Sequence, residues 1–443
     1  MIRTDTIAAV ATAGGRGAVG IVRLSGGEAT AIASRLCGAL PPPRCAGLRR
    51  IVDAEGVDLD EAVVLHFPAP RSFTGEDVVE IQGHGAPVVL EAIVDAACRL
   101  GARRARPGEF SERAFLNDRM DLAQAEAIAD LVDAASLSAA RAARASLSGA
   151  FSDQVRAFAD TLLDLRVQVE GALDFSDEDI DWMARGRVHE RLQQVLEALR
   201  RVRAHAVNGA RLAQGLEVVL AGAPNSGKST LLNAMCGDDV AIVTEVAGTT
   251  RDMLQFDLVI EGLPIRLVDT AGLRLTEDVV EREGVRRSRA RMASADLVLL
   301  LGDDRWEAPF AEAEIASADG VPHVHVFTKC DLSGRPAGRM RPDALRISAA
   351  TGAGMDTLRA MILEQAGFRA DEAPFSARAR HVEAIDRALA TLERAHDALN
   401  RALALDMVAA ELGEAQQALG AITGAVDSEG LLGAIFSRFC IGK

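Results

Sequence analysis

The sequence predicts a multidomain α/β protein in which a parallel α/β domain is inserted into a helical one. Proline gives the first reason: seven of the 14 prolines lie at or before Pro107, none falls in 108 to 223, six lie from Pro224 to Pro342, and Pro374 is the last. Proline breaks helix interiors, so the two proline-free stretches are helix candidates. Both are rich in Ala, Leu, Arg, Glu and Gln, with apolar residues at helical spacing: Leu122, Ala125, Ile128, Ala129 and Val132 in one, Leu389, Leu392, Ala395 and Leu399 in the other. The second reason lies between them. Short β-rich runs (Glu217 to Ala221, Ile265 to Val268, Asp296 to Leu301, Val324 to Phe327) alternate with helical patterns, the signature of a parallel sheet with crossover helices. Ahead of both, Val19 to Leu24, Glu61 to Phe67 and Val78 to Ile81 read as strands among Gly/Pro turns and indicate a separate α+β domain. The expected division is 1–118, 119–212 with 375–443, and 213–374.

Length and charge are consistent with this. The chain has 443 residues, enough for about three domains. Its hydrophobic share of 49% excludes wholesale disorder, and charged residues interrupt every apolar run before the ~18 residues of a membrane span. The first ten residues lack the basic region and apolar core of an export signal, so a cytoplasmic protein is expected. Six scattered cysteines form no C-x-x-C pair, which excludes a zinc or disulfide framework and suggests that most are small buried side chains. A net charge of −15 confines any polyanion to a restricted face. The run Arg99, Arg103, Arg104 and Arg106 is one place for RNA, with a solvated helix end as the plainer reading.

The inserted domain carries a nucleotide site. Gly222-Ala-Pro-Asn-Ser-Gly-Lys-Ser229 matches G-x-x-x-x-G-K-[ST] between a strand and a helix. Glycines let backbone N–H groups wrap phosphate oxygens, Lys228 reaches the terminal phosphates and the Ser229 hydroxyl binds magnesium. Asn225, Ser226, Gly227 and Thr230 complete that cradle. Thr249 and Thr250 resemble the first switch of GTPases, with Thr250 closing the magnesium shell. Asp269-Thr270-Ala271-Gly272 resembles the second, with Asp269 near magnesium and the Gly272 N–H on the γ-phosphate. Thr328-Lys329-Cys-Asp331 resembles the guanine motif N-K-x-D, and Ser348-Ala349-Ala350 the loop that meets the guanine carbonyl. Asp331 accepts hydrogen bonds from the base N1–H and amine, which adenine does not offer in that pattern. Thr328 replaces the usual Asn and leaves fewer polar atoms to bond the base or tie loops together. Leu273 stands where Ras-like enzymes place the water-orienting Gln, so another group must act. Glu281 is one candidate, against a reading as a solvated charge. No arginine stands out as a finger, but the Asn225 side chain can help hold a monovalent cation at the phosphates.

With these motifs in order, the chain resembles the MnmE (TrmE) type tRNA-modification GTPases over essentially its whole length. The match includes Asp5 to Thr12, Gly15 to Ser25, Phe73 to Gly85, Arg106 to Asp118, Asp121 to Ala127 and the terminal Phe439-Cys-Ile-Gly-Lys443. The resemblance implies an N-terminal tetrahydrofolate-binding and dimerisation domain, a discontinuous helical domain and an inserted Ras-like P-loop G domain. It implies a homodimer whose G domains meet face to face and whose hydrolysis is potassium-activated, with Asn225, Thr244, Val246 and Thr249 around potassium and Glu281 orienting water beside the catalytic Lys228 and Thr250. For folate it implies Arg23, Glu80, Arg119 (where the family usually shows Lys) and Lys443. For Cys440 it implies a proposed modification thiol, against a terminus that merely docks.

Two functions follow. The first is a GTP-hydrolysing subunit that, with an MnmG (GidA) type flavoprotein in a heterotetramer, adds a carboxymethylaminomethyl or aminomethyl group to C5 of the wobble uridine of certain tRNAs. GTP, Mg2+, K+ and 5,10-methylene- or 5-formyltetrahydrofolate are the cofactors implied, with FAD on the partner. The second is a regulatory or ribosome-assembly GTPase switch without modification chemistry. The G domain serves either, and the N-terminal match favours the first.

Overall fold

The computed structural model describes residues 5–174, 182–238, 255–269, 290–310, 320–369, 373–401, 405–425, 429–437 and 439–442. They fall into two compact units, Met1–Ala129 with Gly420–Lys443, and Asp130–Leu419. No helix among the described residues is long and apolar enough to cross a membrane.

The first unit is a six-stranded sheet covered on one face. Its elements are β1 (Ile7–Val10), β2 (Gly17–Ser25), α1 (Ala29–Cys37), β3 (Gly47–Val52), β4 (Asp58–Phe67), β5 (Val78–Gly85), α2 (Pro87–Arg99), β6 (Arg103–Arg104), α3 (Glu109–Leu116) and the start of α4 (Leu122–Val132). Sheet order is β3-β4-β5-β2-β1-β6, antiparallel except between β1 and β6. Side chains alternate across a strand, so Val22, Leu24, Val79 and Ile81 enter the core with Leu36 and Ile93 of the two covering helices. Arg23 and Glu80, one step out of phase, share the opposite face in direct register. The chain end belongs to this unit. Ile435, Phe436 and Phe439 pack with Leu122 and Ala125, and a Cβ at Gly108 would lie 2.5 Å from the Phe436 carbonyl oxygen.

The second unit carries the sequence motifs. It contains α5 (Leu137–Leu147), α6 (Ala150–Asp174), α7 (Trp182–Gln214), β7 (Leu216–Ala221), α8 (Lys228–Asp238), β8 (Gln255–Ile260), β9 (Leu263–Asp269), β10 (Leu297–Asp303), β11 (His323–Thr328), α9 (Cys330–Ser333), β12 (Gly338–Arg341), β13 (Ala344–Arg346), α10 (Met355–Gln365), α11 (Ala379–Asn400) and most of α12 (Leu405–Thr423). The sheet order is β12-β13-β11-β10-β7-β9-β8. Edge strands β8 and β12 run antiparallel and the rest parallel. Strands of such a sheet are buried on both faces and read as continuous apolar runs, and every residue of β10 is buried. Strand order reverses beside β7, the position where doubly wound sheets bind ligands at their carboxyl ends. The phosphate loop starts there.

The chain enters this sheet from α7 and leaves it toward α11, and these two helices pair through Arg200 to Glu393 at 2.7 Å and Arg203 to Asp386. Between α10 and α11 the chain crosses α7 at Gly209, where a Cβ would meet the Phe375 carbonyl at 2.3 Å. Phe375 stacks on Phe151 at 4.7 Å, while Ser146 Oγ donates to the Ser376 carbonyl at 2.8 Å and Arg378 pairs with Asp130 at 2.7 Å. Helix α5 joins the sheet core through Ala139 and Ala142. Its N-cap Ser136 accepts from the Ala139 N–H at 3.1 Å and donates to Gly262, at the β8–β9 turn, at 2.6 Å.

Among the strands, β1, β3, β8, β12 and β13 add to those read from the sequence, being short or at or near sheet edges. The cysteines correct an expectation: all six are free thiols, but only Cys37 and Cys330 are buried, and Cys45 and Cys440 are exposed. The Arg99 to Arg106 run is also paired, with Glu55, Asp5, Glu109, Glu91, Asp95 and Glu112 as partners. Its charge is thus matched locally.

Because Ser136 both caps a helix and bonds the β8–β9 turn, Ser136→Ala should destabilise this unit by about 1–2 kcal/mol. Calorimetry should show earlier melting, with Ser136→Thr near wild type; equal melting of the Ala variant would remove the contact from the stability of the unit.

Candidate nucleotide site and the Arg23 pocket

The phosphate loop is held by contacts that leave no room for side chains at its glycines. A Cβ on Gly222, whose φ is +155°, would lie 2.4 Å from the Leu301 carbonyl, and one on Gly227, at φ +96°, would press on Thr328 at 3.3 Å. Asn225 takes the left-handed conformation at φ 62°. Lys228 is 6% exposed, and its ammonium donates to the carbonyls of Gly222 at 2.6 Å and Ala223 at 2.9 Å, facing into the loop. Ser229 and Thr230 follow in the first turn of α8. Asp269, buried at the end of β9, lies in register with Leu220 at the end of β7. A buried carboxylate, a helix-start hydroxyl and a backbone cradle with one ammonium are the donor set that a magnesium-bound triphosphate requires.

The guanine-motif loop grips the phosphate loop twice. Thr328 Oγ1, 2% exposed, is 2.7 Å from the Ser226 carbonyl. Lys329, in the left-handed region at φ 61°, places Nζ 2.5 Å from the Asn225 carbonyl. The threonine therefore does tie loops together, which corrects the expectation from its shorter side chain: one hydroxyl donor suffices for the loop contact. Asp331 is exposed at the first turn of α9. The Ser348 loop is pinned by its N–H to the Ala353 carbonyl at 2.9 Å, and the Ile347 carbonyl accepts from Cys330 N–H at 3.2 Å. Ala349 and Ala350 lie at its more open edge.

Two residues not picked out from the sequence organise this side. Asp303 and Asp304 follow the apolar run of β10 and are almost wholly buried. Hydrogen bonds from Arg305, with those of Lys329, hold the Asp303 carboxyl well below the usual range. Burial pushes the Asp304 carboxyl up, but bonds from Ser333 and Arg346 outweigh it. Acids at the carboxyl end of a parallel strand were the available signal. Thr244, Val246, Thr249, Thr250, Thr270, Ala271, Gly272, Leu273 and Glu281 lie outside the described residues. A cavity of about 860 Å³ opens at the opposite ends of β7 and β9, lined by Arg211, Glu217, Arg266 and Asp296, and is separate from the phosphate loop.

In the first unit Arg23 and Glu80 do pair, Nε to Oε1 at 3.0 Å. The guanidinium lies over Phe73 at 5.4 Å and Phe110 at 5.6 Å, and its NH1 donates to the Gly442 carbonyl at 3.3 Å. The chain end thus reaches the pair; a Cβ on Gly442 would meet the Val10 carbonyl at 2.2 Å. Lys443 lies outside the described residues. Arg119 is exposed and runs its stem against Gly75, two residues from Phe73, with no hydrogen bond to Arg23 or Glu80 among the described residues. Cys440 is exposed and accepts through its carbonyl from Gly108 N–H at 3.3 Å. Beneath lies a charge network. Arg113, 4% exposed, bonds Glu76 at 3.1 Å and Asp5 at 2.9 Å, and Ser25 bonds Thr74 and Glu76 at 2.7 Å each. Burial pushes the Glu109 carboxyl up, but bonds from Arg103 and the Arg106 N–H, with the charges of Arg103 and Arg113, bring it down to about 2.

A parallel sheet with a phosphate loop at its switch point and a T-K-C-D loop clamped to it defines a guanine-nucleotide-binding P-loop GTPase module. The model of the MnmE helical domain matches residues 122–440, and that of the GTP-binding protein TrmE N-terminus matches residues 6–119. The tRNA modification GTPase MnmE of Nitrosococcus oceani is 51% identical, covering 99% of this chain and 97% of that protein. That of Alkalilimnicola ehrlichii is 51% identical over 100% of both. Among solved structures, Aquifex aeolicus Era bound to GDP and aluminium fluoride is 25% identical and covers 40% of this chain and 66% of that one, with a TM-score of 0.27. The chain belongs to the MnmE (TrmE) family of tRNA modification GTPases.

Asp331→Asn should weaken GTP binding at least about 100-fold, since two base donors lose their shared acceptor at about 1–3 kcal/mol each. Competition against labelled GDP measures this; unchanged affinity would remove Asp331 from base recognition. Glu109 has an acid test. A carboxyl lowered from 4.5 to about 2 stabilises the fold above pH 4.5, and that contribution disappears as pH falls toward 2. Urea midpoints of the wild type should therefore fall more steeply across that window than those of Glu109→Gln; parallel curves would exclude the network from acid stability.

Proposed function

We propose that this chain is the GTP-hydrolysing subunit of a complex that adds a carboxymethylaminomethyl or aminomethyl group to C5 of the wobble uridine of certain tRNAs. The single observation that carries this is family membership over the whole chain. The proposed organisation is three domains: 1–118 binding folate and dimerising, 119–212 with 375–443 helical, and 213–374 hydrolysing GTP. The proposed place is the cytoplasm.

The chemistry divides accordingly. Gly222 to Thr230 would hold the phosphates, Ser229, Thr250 and Asp269 the Mg2+ side, and Asp331 the guanine. With an apolar Leu273 where a water-orienting Gln would stand, Glu281 would orient water. K+ beside Asn225, Thr244, Val246 and Thr249 would supply the positive charge of an arginine finger. In the other unit, Glu80 offers a carboxylate to a donor-rich pterin ring. Arg23 offers a cation backed by two aromatic rings, with Arg119 and Lys443 as further cations for the folate carboxylates. A folate derivative would bring the one-carbon unit, and an MnmG-type flavoprotein would bring the flavin. Hydrolysis would drive conformational steps rather than carbon chemistry, and Cys440 is a candidate thiol beside the folate pocket.

Mass spectrometry of wobble nucleosides tests this. Deleting the gene should remove the C5-aminomethyl uridines, and the intact gene but not Lys228→Ala should restore them. An unchanged profile would leave a GTPase switch without modification chemistry. Replacing K+ by Na+ should slow hydrolysis by about ten- to a thousandfold if the ion does the work of a finger; equal rates would exclude that role.

A further inference from the structure

The buried carboxylate of Asp303 is engaged from two sides. Arg305 donates to it through Nε at 3.0 Å and NH2 at 2.7 Å, and Lys329 Nζ lies 2.9 Å from Oδ2. Arg305 is half-exposed, whereas the Asp303 side chain is 0% exposed. Neutralising Arg305 requires no such burial; holding Lys329 does. The same ammonium donates to the Asn225 carbonyl at 2.5 Å, and Asn225 sits in the left-handed region at φ 62°, a conformation that costs a residue with a Cβ about 1 kcal/mol or more unless its surroundings hold it.

We propose that Asp303 is a positioning residue for the guanine nucleotide: it clamps Lys329 so that this side chain locks Asn225, and with it the phosphate-binding backbone. The carboxylate touches no nucleotide atom. It removes the freedom of a long ammonium side chain and leaves two of its three N–H donors with assigned acceptors. With the clamp gone, Lys329 turns to solvent, the Asn225 carbonyl loses its charged donor and the loop N–H groups lose their common aim. Binding suffers, while the water-activating groups stay as they were.

The test uses the full chain with Mg2+ and K+, following release of a fluorescent GDP by stopped flow and GTP hydrolysis at steady state. Asp303→Asn should speed GDP release and raise KM for GTP about tenfold, one charge-assisted bond's worth, with kcat at saturating GTP within twofold. Lys329→Ala should do the same, and the double variant should be no faster than the worse single one. Arg305→Ala, which loses the exposed partner alone, should release GDP at the wild-type rate. Multiplying effects in the double variant, or an Arg305→Ala rate equal to that of Asp303→Asn, would overturn the clamp. If Asp303→Asn melts below the assay temperature, Lys329→Met decides: wild-type release from it overturns the proposal.

Discussion

Close approach of the Gly222 to Ser229 backbone to the ends of β10 and β11 is the constraint on which the rest of the nucleotide site depends. The loop passes so near Leu301 and Thr328 that side chains at Gly222 and Gly227 have no space. That proximity is what lets two side chains of the base-recognition loop reach adjacent carbonyls, Asn225 through Lys329 and Ser226 through Thr328. Phosphate and base recognition are therefore parts of one hydrogen-bonded body rather than two loops that happen to be close. Threonine in place of the usual asparagine keeps the grip on the phosphate loop. The base is then left to Asp331 and the Ser348 loop.

The first unit solves a different problem, that of holding a cation and a carboxylate beside aromatic rings on a sheet face. Register pairs Arg23 with Glu80, and the loop carrying Phe73 is tied down from below through Thr74, Glu76, Ser25 and Arg113. Buried charges of this kind are costly unless each is matched and hydrogen-bonded. Here the four groups Asp5, Glu76, Glu109 and Arg113 are cross-linked with Arg103, and the low Glu109 pKa records how strongly its anion is preferred. The Arg106 to Arg113 segment, quoted above only as part of a family signature, thus has a physical task in shaping the floor of the Arg23 pocket.

Much of this was legible in the sequence because it depends on local rules. Proline placement located the helical stretches, a strand-loop-helix context made the Gly222 to Ser229 motif meaningful, and the continuous apolar run of β10 announced a buried parallel strand. The alternation in Val19 to Leu24 already put Arg23 out of phase with Val22 and Leu24. These readings need only the periods of helix and strand and the sterics of glycine and proline.

Tertiary structure alone decided which distant groups meet. Nothing local to Thr328 says that its hydroxyl finds the Ser226 carbonyl, because that contact exists only when β7 and β11 flank β10. Nothing in Gly302-Asp303-Asp304 says that one acid faces Lys329 and the other Arg346. The four arginines from Arg99 to Arg106 look like a basic patch until folding brings up six carboxylates, three of them at least 11 residues from any of the four. And the Gly442 carbonyl reaches Arg23 only because the chain end packs on β1. Sequence set the elements and their chemistry; long-range packing set the partners, since contact energies between residues hundreds of positions apart carry no local signature.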